Sequence, residues 1–348
     1  MRKFVLNSCF HFQLFSKLKR INQVMKKLSY YLLFTLLFLI SFKSHSQNIG
    51  LGFLFRPNIT LGTAIVPTQN VEDSLEFGMN RFYANLVVPL SGKLKLDLKN
   101  INASFTQHFL TLNTGLRLPQ GNLVEDNTKI YNFSAGITGV HANIRSGVWF
   151  YTVNGGIVQD IQKLNESSPF FTAAGAYIRV KGIYKHNIYG VALLYQYERF
   201  LPVPILGINR RYGKKWFLEL LLPAQGAMRY QISKNFKAGA LVGLGSFRAG
   251  VNPSTNITLP NLGGKGNLNL NYTELKITSV AELKIKNGFF LSGEAGISTA
   301  RSLSFLRTAE NQISFGASTV PYGAVNLHID LQKSKTSPIS SRLFGNDF

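Results

Sequence analysis

The chain has little of what a disulfide-stabilised protein or a soluble enzyme needs. It contains one cysteine, Cys9, so residues 10–348 have no thiol. Disulfides and cysteine-ligated metal sites are therefore excluded from that part of the chain. Charged residues make up 16 % of the sequence, against about 25 % in typical soluble domains. The shortage of charge indicates a protein that does not face water on all of its surface.

Long hydrophobic runs are also scarce. The single apolar run, residues 32–40, is interrupted by Thr35 and is shorter than the roughly 20 residues that a membrane-spanning helix requires. Mean hydropathy is nevertheless +0.05, with 27 Phe, 14 Tyr and 31 Gly. A neutral average without spanning helices predicts membrane strands, because half of each strand faces lipid and half faces the barrel interior.

The N-terminal region has the three parts of a secretory signal peptide. Basic residues 25–27 precede the apolar run, and 44–46 (Ser-His-Ser) places small residues at the −3 and −1 positions of a cleavage site. We therefore predict a signal peptide over 25–46 and a mature chain that begins at Gln47. Residues 1–24 are interpreted as an upstream extension, with translation beginning at Met25; a long basic region of the signal and an uncleaved anchor are the alternatives.

The excess of positive charge has a different meaning in an exported protein. The net charge is +22, and residues 1–46 hold eight Lys and Arg and no Asp or Glu. The remainder has 30 basic and 16 acidic residues, a net charge of +14. In a cytoplasmic protein this balance indicates nucleic acid. After export we expect no nucleic acid; the expected partners are membrane lipid, lipopolysaccharide phosphates and the barrel-assembly machinery.

The dominant period of the mature chain is two. Lys95 and Asp97 alternate with leucines, and Glu274 and Lys276 alternate with Leu275 and Ile277. Successive strand residues point to opposite faces, so each segment has one polar and one apolar face. About fourteen strands are predicted, near 49–57, 80–89, 93–104, 129–140, 146–157, 172–184, 187–198, 202–210, 215–222, 225–232, 236–247, 268–285, 289–300 and 318–331.

Short and long connections mostly alternate between these strands. Tight turns are predicted at 91–92, 185–187, 233–235 and 286–288. The longer polar connections are 58–79, 112–128, 158–171, 248–267 and 301–317. Outer-membrane barrels have short periplasmic turns and long external loops. We therefore predict an all-β, transmembrane, antiparallel up-and-down barrel of about 12–14 strands over 47–331, with both ends in the periplasm and a tail over 332–348. A soluble sandwich or a periplasmic lipid-carrying barrel is the alternative, but a sandwich with so many strands would need two domains and no linker divides the chain.

Inward-facing charges are the candidate site. A Lys or Arg on the lipid face costs about 2–4 kcal/mol at mid-membrane, so the alternating charges are expected to line the lumen. Either they line a water-filled path, or they pair across a narrow lumen and close it. The candidates are Lys95, Asp97, Arg179, Lys181, Glu198, Glu219, Arg229, Glu274, Lys276, Glu282 and Lys284.

One stretch resembles a known family. Residues 200–207 (FLPVPILG) lead to 216–223 (WFLELLLP) and then to 228–233 (MRYQIS). This order is similar to a group of outer-membrane β-barrel proteins classed only as a domain of unknown function, and the similarity is best over about 145–250. The resemblance implies the barrel fold and the outer membrane. It brings no catalytic or binding residues.

The sequence has no pattern typical of an enzyme or a cofactor site. No Gly-x-Ser-x-Gly, paired-histidine, acidic calcium-loop or phosphate-loop motif is present. His108, His141, His186 and His328 are expected as turn or lumen residues rather than catalytic bases. We predict no enzymatic activity, no metal and no cofactor. Two functions stay open, a porin-like channel for small polar or anionic solutes and a non-conducting barrel that presents external loops to partners; an outer-membrane hydrolase is the weaker third.

Overall fold

A computed structural model describes most of the predicted barrel. The described residues are 57–72, 75–97, 102–125, 127–143, 147–160, 169–182, 185–196, 199–251, 268–306 and 312–331. The predicted upstream segment, the signal peptide and the C-terminal tail lie outside these residues. None of the described residues belongs to a helix that is long and apolar enough to cross a membrane.

Every long element in this part of the chain is a strand, as the period of two predicts. The strands are β1 (Asn58–Glu72), β2 (Leu75–Asp97), β3 (Asn102–Gln120), β4 (Ile130–Asn143), β5 (Gly147–Asp160), β6 (Pro169–Gly182), β7 (Lys185–Gln196), β8 (Arg199–Tyr212), β9 (Trp216–Leu222), β10 (Gln225–Ser233), β11 (Phe236–Val251), β12 (Leu268–Lys286), β13 (Phe289–Leu306), β14 (Gln312–Ala317) and β15 (Val320–Asp330).

The strands close into one antiparallel ring. Each strand from β1 to β13 pairs with the next, and β15 pairs with both β13 and β1. β14 pairs with the end of β13 that β15 leaves free, so β14 and β15 together occupy one place in the ring. The result is a closed barrel of fourteen strand positions, which confirms the predicted fold class. Asn58 and Asp330 are paired at one end, which we call the terminal end; the opposite end is the loop end.

The two faces of the sheet are inverted relative to a soluble protein. Large apolar side chains are exposed on the outer face, for example Ile137 (48 % exposed), Val153 and Leu206. The inner face carries buried polar and charged side chains, among them Glu274 and Ser298. An apolar exterior around a polar interior is the arrangement that a lipid environment requires.

Aromatic residues gather on the outer face near the terminal end. The rings of Trp149 and Tyr177 lie 5.1 Å apart, and those of Trp216 and Tyr230 lie 4.8 Å apart. Indole and phenol rings have an apolar body and a polar tip, so they are favoured at membrane–water interfaces. These pairs form part of an aromatic girdle at that end of the barrel.

Several strand boundaries differ from the prediction. β1 and β3 extend far into the predicted connections 58–79 and 112–128. β2 continues through Ser91-Gly92 without a hairpin turn, and its register shifts just before them, between Pro89 and Ser91. Ser and Gly beside a β-bulge suit a strand as well as a turn, because both tolerate local distortion of the backbone. Only the pairing partner distinguishes the two.

A charge at the centre of the outer face tests the membrane assignment. Ile137→Arg is expected to lower the free energy of unfolding by about 2–4 kcal/mol in lipid vesicles, because a mid-membrane cation loses its hydration. The control Ile137→Leu should change it little. Denaturant unfolding of the vesicle-inserted protein measures both. If Arg were tolerated as on a water-exposed surface, within about 0.5 kcal/mol, this face would not contact lipid.

Candidate functional site: the barrel interior

The loop end of the interior is filled by an apolar cluster, which we call the loop-end core. Phe77 and Phe305 are fully buried (0 % exposed), and the rings of Phe77 and Phe247 lie 5.6 and 5.5 Å from that of Tyr272. These side chains pack against one another and occupy this part of the interior. The buried members are Phe77, Met79, Leu123, Val124, Ile130, Val158, Phe247, Ala249, Val251, Leu270, Tyr272, Leu303, Phe305 and Phe315.

Unequal strand lengths bring this core together. The hairpin between β9 and β10 is short, with Leu221 already paired to Gln225, whereas β11 continues to Val251. Above that hairpin, Gly250 of β11 pairs in parallel with Gln159 of β5. The contact joins two strands that are separated in the ring by β6–β10. It therefore narrows the interior at the loop end.

A charged network lies against the loop-end core and centres on Glu274 of β12. Its carboxylate accepts from Arg81 Nη1 at 2.7 Å, from the Tyr272 hydroxyl at 2.9 Å and from Ser298 Oγ at 2.7 Å. Arg301 Nε donates to the Tyr272 hydroxyl at 3.1 Å, and Arg301 Nη2 donates to the Phe77 carbonyl at 3.2 Å. One buried carboxylate thus links three strands, β2, β12 and β13, and the edge of the apolar core.

A second ion cluster lies nearer the terminal end. Arg229 of β10 pairs with Glu219 of β9 at 2.5 Å and with Glu282 of β12 at 2.9 Å. Lys237 Nζ lies 4.9 Å from the centre of the Phe217 ring, a cation–π distance. Both carboxylates converge on one guanidinium, so this cluster ties β9, β10 and β12 together across β11.

Between the network and the barrel wall lies a small cavity. Its volume is about 60 Å³, and it is lined by three cationic side chains, Arg81, Arg117 and Lys276. None of the described lining residues is acidic. A second apolar cluster, which we call the apolar wall, lies on the inner face of β2 to β7 among buried polar residues such as Asn85 and Thr138. Its buried members are Val87, Phe109, Val140, Val148, Ala176, Ile178 and Ile188.

Six of the predicted lumen residues lie on the inner face. Arg229, Glu274 and Lys276 are buried, and the other three are partly buried. They gather in two clusters, with Glu274 and Lys276 beside the cavity and the others nearer the terminal end. The full set is Glu219, Arg229, Glu274, Lys276, Glu282 and Lys284.

Three predicted residues lie instead on the outer face, which differs from the expectation. Arg179 and Lys181 are exposed and alternate with Ile178 and Val180, which pack inside. Lys95 is exposed and pairs with Ser104, whose face is opposite to that of the buried Gln107. All three lie near strand ends, where an outward cation reaches headgroups or water and the cost of the lipid face disappears.

Two predicted lumen residues are not placed. The backbone of Asp97 ends β2 opposite Asn102, and Glu198 lies outside the described residues.

The outward position of Lys95 follows from the register irregularity between Pro89 and Ser91. One extra residue in a strand exchanges the two faces for every residue that follows it. A pattern read from sequence does not reveal such a shift.

Several interior charges were not among the candidates. Arg81, Arg117 and Glu294 each stand singly between apolar or small neighbours on long strands. Arg301 lies within the predicted connection 301–317, but β13 continues to Leu306. A single charge flanked by apolar residues, as in Leu116-Arg117-Leu118, is the signal that identifies this kind of residue.

The hydrolase alternative has one geometric feature in its favour. Ser91 Oγ lies 2.9 Å from His108 Nδ1 on the exposed outer face. The same contact joins Thr106 to His141 at 2.8 Å and Thr60 to His328 at 2.9 Å, so it is a recurrent cross-strand pair in this sheet. No described carboxylate or amide orients the His108 ring as a catalytic triad requires. The described residues also contain no cluster of His, Cys, Asp and Glu that could hold a metal ion.

The role of Glu274 is tested by removing its charge. Glu274→Gln leaves Arg81 buried without its carboxylate, so we expect the free energy of unfolding to fall by about 3–5 kcal/mol. Glu282→Gln is the matched control, because Arg229 keeps Glu219 and the expected loss is smaller, about 1.5 kcal/mol. Denaturant titration in detergent micelles measures both. Equal losses would contradict a central role for Glu274.

The solved structures that are similar to this chain include outer-membrane β-barrels of low sequence identity. The translocator domain of the autotransporter NalP from Neisseria meningitidis is 10 % identical (TM-score 0.25; 79 % of this chain, 88 % of that one). The transport unit of the autotransporter AIDA-I from Escherichia coli is 11 % identical, with a TM-score of 0.27 over 79 % of this chain and 89 % of that one. A porin variant from Rh. blastica is 8 % identical, with a TM-score of 0.29 over 79 % of this chain and 99 % of that one. No curated protein matches the chain.

The family assignment rests on sequence. A family model described as a domain of unknown function matches residues 67–328, which include every strand from β2 to β14 and most of β15. The resemblance recognised at 200–233 is thereby confirmed and extends over most of the barrel. The chain belongs to the family of the domain of unknown function DUF6268.

Proposed function

We propose that this protein is an outer-membrane barrel whose lumen is closed and which acts as a structural or interaction protein. Export through a cleaved signal peptide over 25–46 and residence in the outer membrane are part of the proposal. The observation that carries it is the loop-end core, in which fourteen buried residues pack together at one end of the interior. Lipid, lipopolysaccharide and the assembly machinery are the proposed partners, together with proteins that bind the external loops.

The interior charges support a closed rather than a conducting lumen. Glu274 accepts three hydrogen bonds from protein groups, and Arg229 is held by two carboxylates. Charges that line an aqueous path are satisfied by water, whereas charges in a narrow interior need protein partners. The interior therefore resembles the second arrangement predicted from the sequence, in which charges pair and close the lumen. The external connections 161–168 and 252–267 lie outside the described residues.

A channel for small anions is the second candidate. It is favoured by the cavity, where Arg81, Arg117 and Lys276 form a cationic lining. Basic residues at a constriction select anions in porin-like barrels. This function would require displacement of the loop-end core. An enzymatic role is not proposed, because the Ser91–His108 pair lacks a third group among the described residues.

Single-channel conductance distinguishes the two functions. The refolded mature protein, residues 47–348, is inserted into a planar bilayer and recorded at both polarities. A closed barrel is expected to give no steady conductance while remaining heat-modifiable on gels. Steady, anion-selective conductance of the wild-type protein would refute the closed barrel and support the channel.

Weakening the loop-end core should create a conductance that the wild type lacks. Phe77→Ala with Phe305→Ala removes two fully buried rings, at a cost of about 3–5 kcal/mol each, and opens space in the core. The matched control is Phe109→Ala, which removes a buried ring from the apolar wall instead. Heat-modifiability verifies that each variant is folded. Equal silence in a folded double variant would show that another part of the chain closes the lumen.

A further inference from the structure

The cavity has an unbalanced charge that the surrounding structure only partly compensates. Arg81 of β2 and Arg117 of β3 are directly opposite each other in register, so their side chains share the inner face. Like charges placed directly opposite each other in a sheet repel. Arg81 has Glu274 as its partner, whereas Arg117 forms no salt bridge with any described residue. Its guanidinium instead lies 4.8 Å from the centre of the Phe247 ring.

Donor groups at this cavity lack acceptors within the described part of the chain. Arg81 Nε, Arg81 Nη2 and Arg117 Nη1 are buried and have no hydrogen-bond partner there. A buried N–H without a partner costs about 1–3 kcal/mol, and more when the group is charged. Three such donors on two adjacent guanidinium groups are therefore expensive unless something in the cavity accepts from them.

We propose that the cavity is a binding site for one small oxyanion, of carboxylate or inorganic phosphate size. The guanidinium fork offers parallel N–H donors that match the two oxygens of a carboxylate or phosphate. Lys276 supplies a third positive charge from β12. Tyr83 and Tyr322 line the same space, and the Tyr83 hydroxyl donates to Asn326 Oδ1.

The size and composition of the cavity suit this ligand. A water needs about 10–15 Å³ of the same measure, so about 60 Å³ exceeds the space of one molecule. Water would satisfy the donors but is neutral, so it would not offset the repulsion between Arg81 and Arg117. An oxyanion would accept hydrogen bonds from the donors and would also offset the repulsion between the two guanidinium groups. A lipid headgroup is disfavoured as the source, because the loop-end core packs beside the cavity and its Phe247 and Tyr272 line it.

Binding of an anion in the cavity does not depend on whether the lumen is closed. An anion held between two strands can be a fixed structural ligand in a silent barrel, or a binding site along the path of a channel. Affinity for the anion and conductance are separate measurements, so either can fail without the other.

Isothermal titration calorimetry of the folded full chain in detergent micelles tests the site. The probes are sodium phosphate and sodium acetate at 0.15 M ionic strength, where loosely held surface anions are largely screened. We expect saturable binding of at least one probe with a stoichiometry of about one, as a single guanidinium-lined cavity predicts. Arg117→Gln should weaken it by at least about tenfold, since it removes charged hydrogen bonds. Arg117→Lys keeps the charge without the fork and should weaken it less.

The matched control is Arg211→Gln. Arg211 also places its guanidinium over an interior ring, 4.9 Å from the centre of Phe217, but it does not line the cavity. The Arg211→Gln variant should bind phosphate and acetate with the same affinity as the wild type. Absence of saturable binding to the wild type would overturn the proposal, and so would equal affinities of the wild type and a folded Arg117→Gln variant. The wild-type titration decides the matter even if Arg117→Gln does not fold.

Discussion

The closed ring of backbone hydrogen bonds is the constraint on which the rest of the structure depends. A strand edge within lipid would leave N–H and C=O groups without partners, so β15 pairs with β1 and completes the sheet. Once the ring is closed, every strand must send alternate side chains to lipid and to the interior. Charges in the middle of a strand then have only the interior available. Ion networks inside the barrel, such as that of Glu274, follow from this geometry.

The interior is organised around a few buried carboxylates that are outnumbered by cations. Glu274 connects Arg81 to Tyr272 and Ser298, and through Tyr272 to the loop-end core. The loop-end core and the polar network therefore share Tyr272 and should respond together to substitution. The loop-end core and the cationic cavity are two consequences of the same packing. The narrowing that β5 and β11 produce places the cavity beside the apolar core rather than in open solvent.

Much of the fold and part of the site were predictable. Strict alternation over β10 and β12 placed Arg229, Glu274 and Lys276 on one face, and the lipid cost of a mid-strand charge identified that face as the interior. The same reasoning misplaced Arg179, Lys181 and Lys95, because an outward cation near a strand end is tolerated and because a bulge in β2 exchanges its faces. Arg81 and Arg117 escaped notice because a lone charge does not form an alternating run.

The sequence by itself determined the secondary structure, the closed barrel, its approximate strand number and the need to keep mid-strand charges inside. These properties are local or nearly so, because alternation and turn residues act over a few positions and lipid penalises each charge separately. Only the tertiary structure decided which charges meet and which side chains form the loop-end core. Arg81 and Glu274 are 193 positions apart in the chain, and β5 and β11 meet because a hairpin between them is short. Such encounters depend on register and relative strand length around the whole ring, which no local pattern encodes.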